Sequence, residues 1–384
     1  MGLATMPHTD KGIEMHRTLL TRGFVLVACM LCAGLAAAAE PTSTTTGIRH
    51  VQAFDLPVSP YLSAEATASV INAISRGDPT AKMDNPTLLK ALPELRRGTE
   101  AWAAAEVAAL QERYPVTLHP ETWNGVRVVR VQPRSAPTSP ARQRLLIELH
   151  GGAFVFGSAN GLGLMEAIPL AAMTGATVVA VEYRMGPEHR FPAASEDVAA
   201  VYRAALERFP ARHIGLFGCS AGGVLTGESL AWFARETLPM PGAAGLFCAG
   251  GDARYGGDTR YVAAALNDAL LPHADGTLPI AEDLYYGEVD FHDPLVSPVF
   301  SDAVLAQFPP TLFITATRAA ELSNVAYTHS RLVDLGRTSD LHVWDGLGHA
   351  FHLDARLPES QQAYRVMARF FARHLDMTLP EPEP

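Results

Sequence analysis

Residues 214–223 read Ile-Gly-Leu-Phe-Gly-Cys-Ser-Ala-Gly-Gly, and this stretch decides how the rest of the chain is read. The apolar run Ile214 to Phe217 has the length and composition of a buried strand, and Val224 to Arg235 carries a helical pattern. Gly218-Cys219-Ser220-Ala221-Gly222-Gly223 therefore joins strand to helix. A G-x-S-x-G turn in that setting is a nucleophile elbow: the glycines permit a tight turn and close helix approach, and the serine hydroxyl is left exposed at the C-terminal edge of a sheet. Cys219, just before the serine, reads as an inert buried thiol.

Outward from the elbow, short aliphatic runs alternate with helical patterns. The runs are Val126 to Val131, Leu145 to Leu149, Ala176 to Tyr183, Ala243 to Ala249, Thr311 to Ala316 and Leu341 to Trp344. Between two of them, Val198, Val201, Tyr202, Ala205 and Phe209 share one face of a predicted helix over 197–209, with Ser195 as its expected N-cap. The alternation predicts an α/β fold with a mostly parallel sheet and helices on both faces. Residues 55–114 and 251–292 break it. The first shows helical patterns over 64–74 and 98–113, the second is loop-rich and helical, and both are expected to form a helical cap over one edge of the sheet. No internal repeat is visible.

Two further segments carry chemistry. His150-Gly151-Gly152-Ala153-Phe154-Val155-Phe156-Gly157 follows a strand, and acyl transfer needs backbone N–H groups aimed where an oxyanion develops. Gly151 and Gly152 are expected to supply two donors and the Ala221 amide a third. Asp345-Gly346-Leu347-Gly348-His349-Ala350-Phe351 follows the last strand, where His349 is placed to act as general base on Ser220. His349-x-x-His352 could instead hold a metal, but no third ligand stands at suitable spacing and H-E-x-x-H is absent, so no metal is expected.

These segments, with Tyr183-Arg184-Met185-Gly186-Pro187-Glu188-His189-Arg190-Phe191-Pro192-Ala193-Ala194, resemble the hormone-sensitive-lipase-like family of α/β-hydrolases, from about Tyr61 to Leu375. The resemblance implies an eight-stranded, mostly parallel sheet, a cap built from N-terminal helices and a later insertion, and cofactor-free hydrolysis of short- to medium-chain carboxylic esters or lactones. Phe154 and Phe156 are expected to line the acyl pocket, and 183–194 to brace the oxyanion loop. A hydrolase-fold binding protein without turnover and an amidase or peptidase of the same fold are the alternatives.

The chain departs from the family pattern in three places. Cys219 stands where Asp is common, and Gly186 where Ala is common. In Thr317-Arg318-Ala319-Ala320-Glu321-Leu322-Ser323-Asn324, Ala319 occupies the position of the usual triad aspartate. Glu321, two residues on and one methylene longer, is expected to take that role, which preserves the chain order serine, acid, histidine. Asp345 is the alternative acid.

Composition limits the partners. A formal net charge of −10 and only 18% charged residues give no basic stripe for nucleic acid or anionic membranes, and 48% hydrophobic residues can fill a large core. Arg17 and Arg22 precede the apolar, small-residue stretch 23–39, so residues 1–39 read as a secretory signal peptide cleaved after Ala39, with Met15 an alternative start. A lipoprotein signal acylated at Cys29 or an uncleaved anchor is a competing reading. The mature chain, 40–384, is expected to be one periplasmic or secreted domain. Of four cysteines, Cys29 and Cys32 leave with the signal, so only Cys219 and Cys248 could pair. Oligomeric state stays open, a homodimer included.

Overall fold

The computed structural model describes residues 51–77, 83–134, 143–266 and 283–379. The signal segment 1–39 and part of the second cap stretch lie outside them. The chain divides into Met1–Leu56 and one compact unit, Pro57–Pro384. Within that unit the strands are β1 (Val116–Trp123), β2 (Val126–Pro133), β3 (Leu145–Leu149), β4 (Thr177–Val181), β5 (Ile214–Cys219), β6 (Ala243–Phe247), β7 (Thr311–Ala316) and β8 (Ser339–Trp344). The helices are α1 (Ala64–Arg76), α2 (Asn85–Arg113), α3 (Leu164–Thr174), α4 (Ala193–Leu206), α5 (Ala221–Arg235), α6 (Asp258–Leu266), α7 (Asp283–Tyr286), α8 (Asp302–Leu305), α9 (Leu322–Asp334) and α10 (Pro358–His374).

The eight strands form one sheet in the order β1-β2-β4-β3-β5-β6-β7-β8. β1 and β2 are antiparallel to their neighbours, and from β4 to β8 every pair is parallel. Strands β3 to β7 are buried along their length, as expected when helices cover both faces. Side chains divide by strand alternation: Leu146, Phe217, Leu312 and Ile314 join a core with α3 and α10, while Ile147, Leu216 and Phe313 join another with α4, α5 and α9.

Three expectations change. Strand β1 is not expected from the sequence, because Val116-Thr117-Leu118-His119-Pro120-Glu121-Thr122-Trp123 includes a proline and several polar residues; among the described residues it is a half-exposed edge strand paired to β2, a place where proline is tolerated. Helix α4 starts at Ala193 with Pro192 in the cap position, so Ser195 lies buried in the first turn and is not an N-cap. Helix α2 begins at Asn85, well before residue 98, because the Asp84 side chain caps it by accepting from the Thr87 amide at 2.9 Å.

Candidate active site

The elbow forms as the spacing requires. Ser220, between β5 and α5, has φ 59° and ψ −124°, a region that β-branched or bulky residues avoid. Its two flanking glycines are obligatory for contact reasons. A Cβ on Gly222 would lie 1.7 Å from the Leu149 carbonyl oxygen, and one on Gly218 would lie 2.2 Å from the same atom. The sheet, the elbow and α5 therefore meet at a point where only backbone fits.

Ser220, His349 and Glu321 form one hydrogen-bonded chain. Ser220 Oγ donates to His349 Nε2 at 2.9 Å, and His349 Nδ1 donates to Glu321 Oε2 at 2.9 Å. Glu321 is wholly buried, and its other oxygen accepts from Thr315 Oγ1 at 3.2 Å. The backbone explains how it gets there. β7 ends at Ala316, a turn carries the chain through Ala319, and Glu321 occupies the cap position of α9 without capping it, which frees its carboxylate for the imidazole. The His349 loop is stapled to the same turn: Thr317 N donates to Trp344 O at 2.9 Å and Arg318 N to Leu347 O at 3.0 Å.

Ala319 is buried, so the position of the usual aspartate is filled by a methyl group packed in the core. Asp345 is engaged elsewhere: it accepts from Ser59 Oγ at 2.5 Å and from Thr317 Oγ1 at 3.1 Å, and makes no hydrogen bond to His349 among the described residues.

Gly151 and Ala221 lie beside Ser220, and Gly152 follows on the same loop as Gly151. A Cβ on Gly151 would stand 3.4 Å from Ser220 Cβ, and Ala221 follows the serine directly. Among the described residues, none of these three amides donates to another protein group. The loop that carries the first two is tightly turned: Gly152 has φ 115°, and Val155 N and Phe156 N both donate to its carbonyl.

Several supporting groups were not singled out individually from the sequence. His150 Nδ1 donates to Gly151 O at 2.8 Å while its ring stacks on Tyr183 at 4.2 Å, and burial pushes the imidazole down to about 4, so it stays neutral. Tyr183 donates to His150 O at 2.6 Å, and Gly186 N to Phe154 O at 2.8 Å, which is how 183–194 contacts the loop. Arg96, from α2, donates to Val155 O and Gly186 O, each at 2.7 Å, and pairs with Glu188. A lone arginine in a helical stretch gives no signal for such a role. Tyr255, from the second cap stretch, has its ring 6.4 Å from that of His349.

One expectation about the pocket fails. Phe154 is fully buried and stacks on Tyr285 at 4.6 Å, so it belongs to the core rather than an acyl wall; its φ of 58° turns it inward. Phe156 is half-buried. Cys219 and Cys248 are both free and buried.

Comparison with known proteins agrees with this architecture. A family model described as alpha/beta hydrolase fold matches residues 146–353, more than half of the chain. A candidate acetyl-hydrolase of Mycobacterium tuberculosis, LipR, is 32% identical over 67% of this chain and 81% of its own length. An acetyl-hydrolase of Streptomyces hygroscopicus is 31% identical over 60% of this chain and 77% of its own. Among solved structures, esterase E25 superposes with a TM-score of 0.72 at 30% identity, covering 85% of this chain and 99% of that one. A hormone-sensitive lipase from a metagenome library gives 0.67 at 25% identity, covering 81% and 97%. With the glycine loop and the elbow both inside the matched span, the chain belongs to the α/β-hydrolase family, on its hormone-sensitive-lipase-like branch.

Proposed function

We propose that this carboxylic ester hydrolase works through Ser220, His349 and Glu321. The observation that carries the assignment is the continuous chain from Ser220 Oγ through His349 to Glu321, each contact at 2.9 Å. Ser220 attacks the ester carbonyl carbon as His349 Nε2 takes its proton, and Glu321 holds the imidazole with Nδ1 protonated and offsets its developing charge. The Gly151, Gly152 and Ala221 amides stabilise the tetrahedral oxyanion. Collapse expels the alcohol, protonated by His349. Water, deprotonated by His349, then attacks the acyl-serine, and the acid leaves as Ser220 recovers its proton.

The relatives named acetyl-hydrolases support a small acyl group, within the short- to medium-chain ester or lactone class. The helices of 64–113 and the stretch that places Tyr255 beside His349 serve as the cap in this reading. A fluorophosphonate that labels the wild type and fails on Ser220→Ala supports the mechanism. Labelling that survives the substitution contradicts it.

Export through residues 1–39 is a second part of the proposal, supported by the order of charged, apolar and small residues there. Among the described residues, no helix is long and apolar enough to cross a membrane. The mass of the protein recovered from a periplasmic fraction decides the matter: a chain beginning at Glu40 agrees with cleavage after Ala39, and an intact N-terminus opposes it.

A further inference from the structure

His352 lies three residues past His349 but has a different environment. It is wholly buried, and its Nε2 contacts Glu166 Oε1 at 2.9 Å. Its other nitrogen faces two sulfurs: Cys248 Sγ is 3.9 Å from Nδ1, and donor atoms of Cys219, Cys248 and His352 all lie within 4.8 Å of one another. The sequence offers no third ligand near this histidine. The fold supplies two, from the ends of adjacent strands.

The backbone at Cys248 is shaped for this meeting. Cys219 on β5 is in register with Phe247 on β6, and strand alternation would send the next side chain, Cys248, to the opposite face. Instead Cys248 has φ 53°, a left-handed conformation uncommon for a residue with a Cβ, and its thiol joins the same cluster as Cys219 and Phe247. Cys248 Sγ also lies within 4.8 Å of Glu321 and His349, but those two are bonded to each other in the triad. The proposed mechanism leaves Cys219, Cys248, His352 and Glu166 without a task.

We propose that Cys219, Cys248 and His352 bind one thiophilic divalent cation of the zinc class, with Glu166 holding the imidazole as a positioning residue. Two sulfurs and an imidazole select such an ion over magnesium or calcium, which take oxygen donors. Zinc bonds of about 2.3 Å to sulfur and about 2.0 Å to nitrogen place tetrahedral donors roughly 3.5 to 3.8 Å apart. The three donors here, within 4.8 Å of one another, need to close by roughly 1.3 Å at most. A carboxylate on the second nitrogen fixes the tautomer that presents Nδ1 as a ligand, the usual outer arrangement of a histidine–metal site. Three protein donors leave a fourth position for a small ligand. Binding expels the two thiol protons and any proton on Nδ1. Because all four side chains are buried, loading belongs to folding, not to exchange in the native state.

The test is elemental analysis of the full chain purified from zinc-containing medium, and of the same chain refolded with zinc, beside Cys248→Ser, His352→Gln and Glu166→Gln. Expected are about one zinc per wild-type chain, less than about a tenth of that in the two ligand variants, and about 10- to 100-fold weaker retention in Glu166→Gln. In refolded wild type, cadmium in place of zinc should give a thiolate charge-transfer band that Cys248→Ser lacks. Wild type that retains no zinc from either preparation overturns the proposal, whatever the variants do. So does zinc that the ligand variants leave unchanged, or a Cys219–Cys248 disulfide, seen as a peptide linking the two residues after proteolysis of the unreduced, denatured protein.

Discussion

His349 Nδ1 lies 2.9 Å from Glu321 Oε2, and the carboxylate that makes this contact comes two residues after a buried alanine, Ala319, at the position where the related pattern has its acid. The extra methylene of glutamate and the turn ahead of α9 together compensate for the shift along the chain. Glu321→Gln is expected to lower kcat by about 10³- to 10⁴-fold, since the amide favours the wrong imidazole tautomer. Asp345→Asn is expected to stay within about tenfold of wild type, because Asp345 bonds Ser59 and Thr317. Steady-state hydrolysis of nitrophenyl butyrate by both variants separates the two carboxylates. Equal losses would contradict the assignment.

Gly152→Ala is expected to cost about 10²- to 10³-fold in kcat, the range for losing an oxyanion donor. The added methyl would stand 2.3 Å from the Phe156 carbonyl oxygen at a residue with φ 115°, so the loop must move and take its amides out of line. Thermal unfolding measured beside kcat checks the cause, since a displaced loop lowers kcat in protein that is still folded at the assay temperature.

Arg96→Met keeps the stem of the side chain and removes its bonds to Val155, Gly186 and Glu188. Loosening the brace is expected to lower kcat by about tenfold while Ser220 still reacts with a fluorophosphonate, because misplacement of positioning groups costs up to about 10²-fold. An unchanged kcat would show that the oxyanion loop holds its shape without α2.

Glu228 gives a stability prediction with a definite sign. Burial raises its carboxyl to about 8, and Tyr286 donates to it at 2.5 Å. The folded value lies above the unfolded one of 4.5, so the contribution of this group is fully present below pH 4.5 and is lost as pH rises through 8. Glu228→Gln removes that loss. The variant should unfold at the same temperature as wild type near pH 4.5 and progressively higher above it, with a difference of about 4 kcal/mol by pH 8. Parallel melting curves from pH 5 to 8 would contradict this.

The sheet was legible because its central strands are buried on both faces and read as continuous aliphatic runs. β1 was not: an edge strand carries proline and polar residues that a core strand cannot, and its sequence resembles a loop. Ser220, His349 and Glu321 are named from motif and chain order, and the fold joins them in one hydrogen-bonded chain, with Gly151 and Ala221 beside the serine. The groups behind them were harder to read. Phe154 was misplaced because a positive φ reverses where an aromatic on a glycine-rich loop points. Arg96 and the meeting of Cys219 and Cys248 with His352 depend on contacts between distant segments, which local spacing does not encode.

The most direct test of the central claim is hydrolysis of nitrophenyl acetate and butyrate by wild type and Ser220→Ala under identical conditions. The account predicts turnover by wild type with a fall of several orders of magnitude in the variant, on the order of 10⁵- to 10⁶-fold where background hydrolysis permits the reading. Equal rates in the two proteins would contradict it.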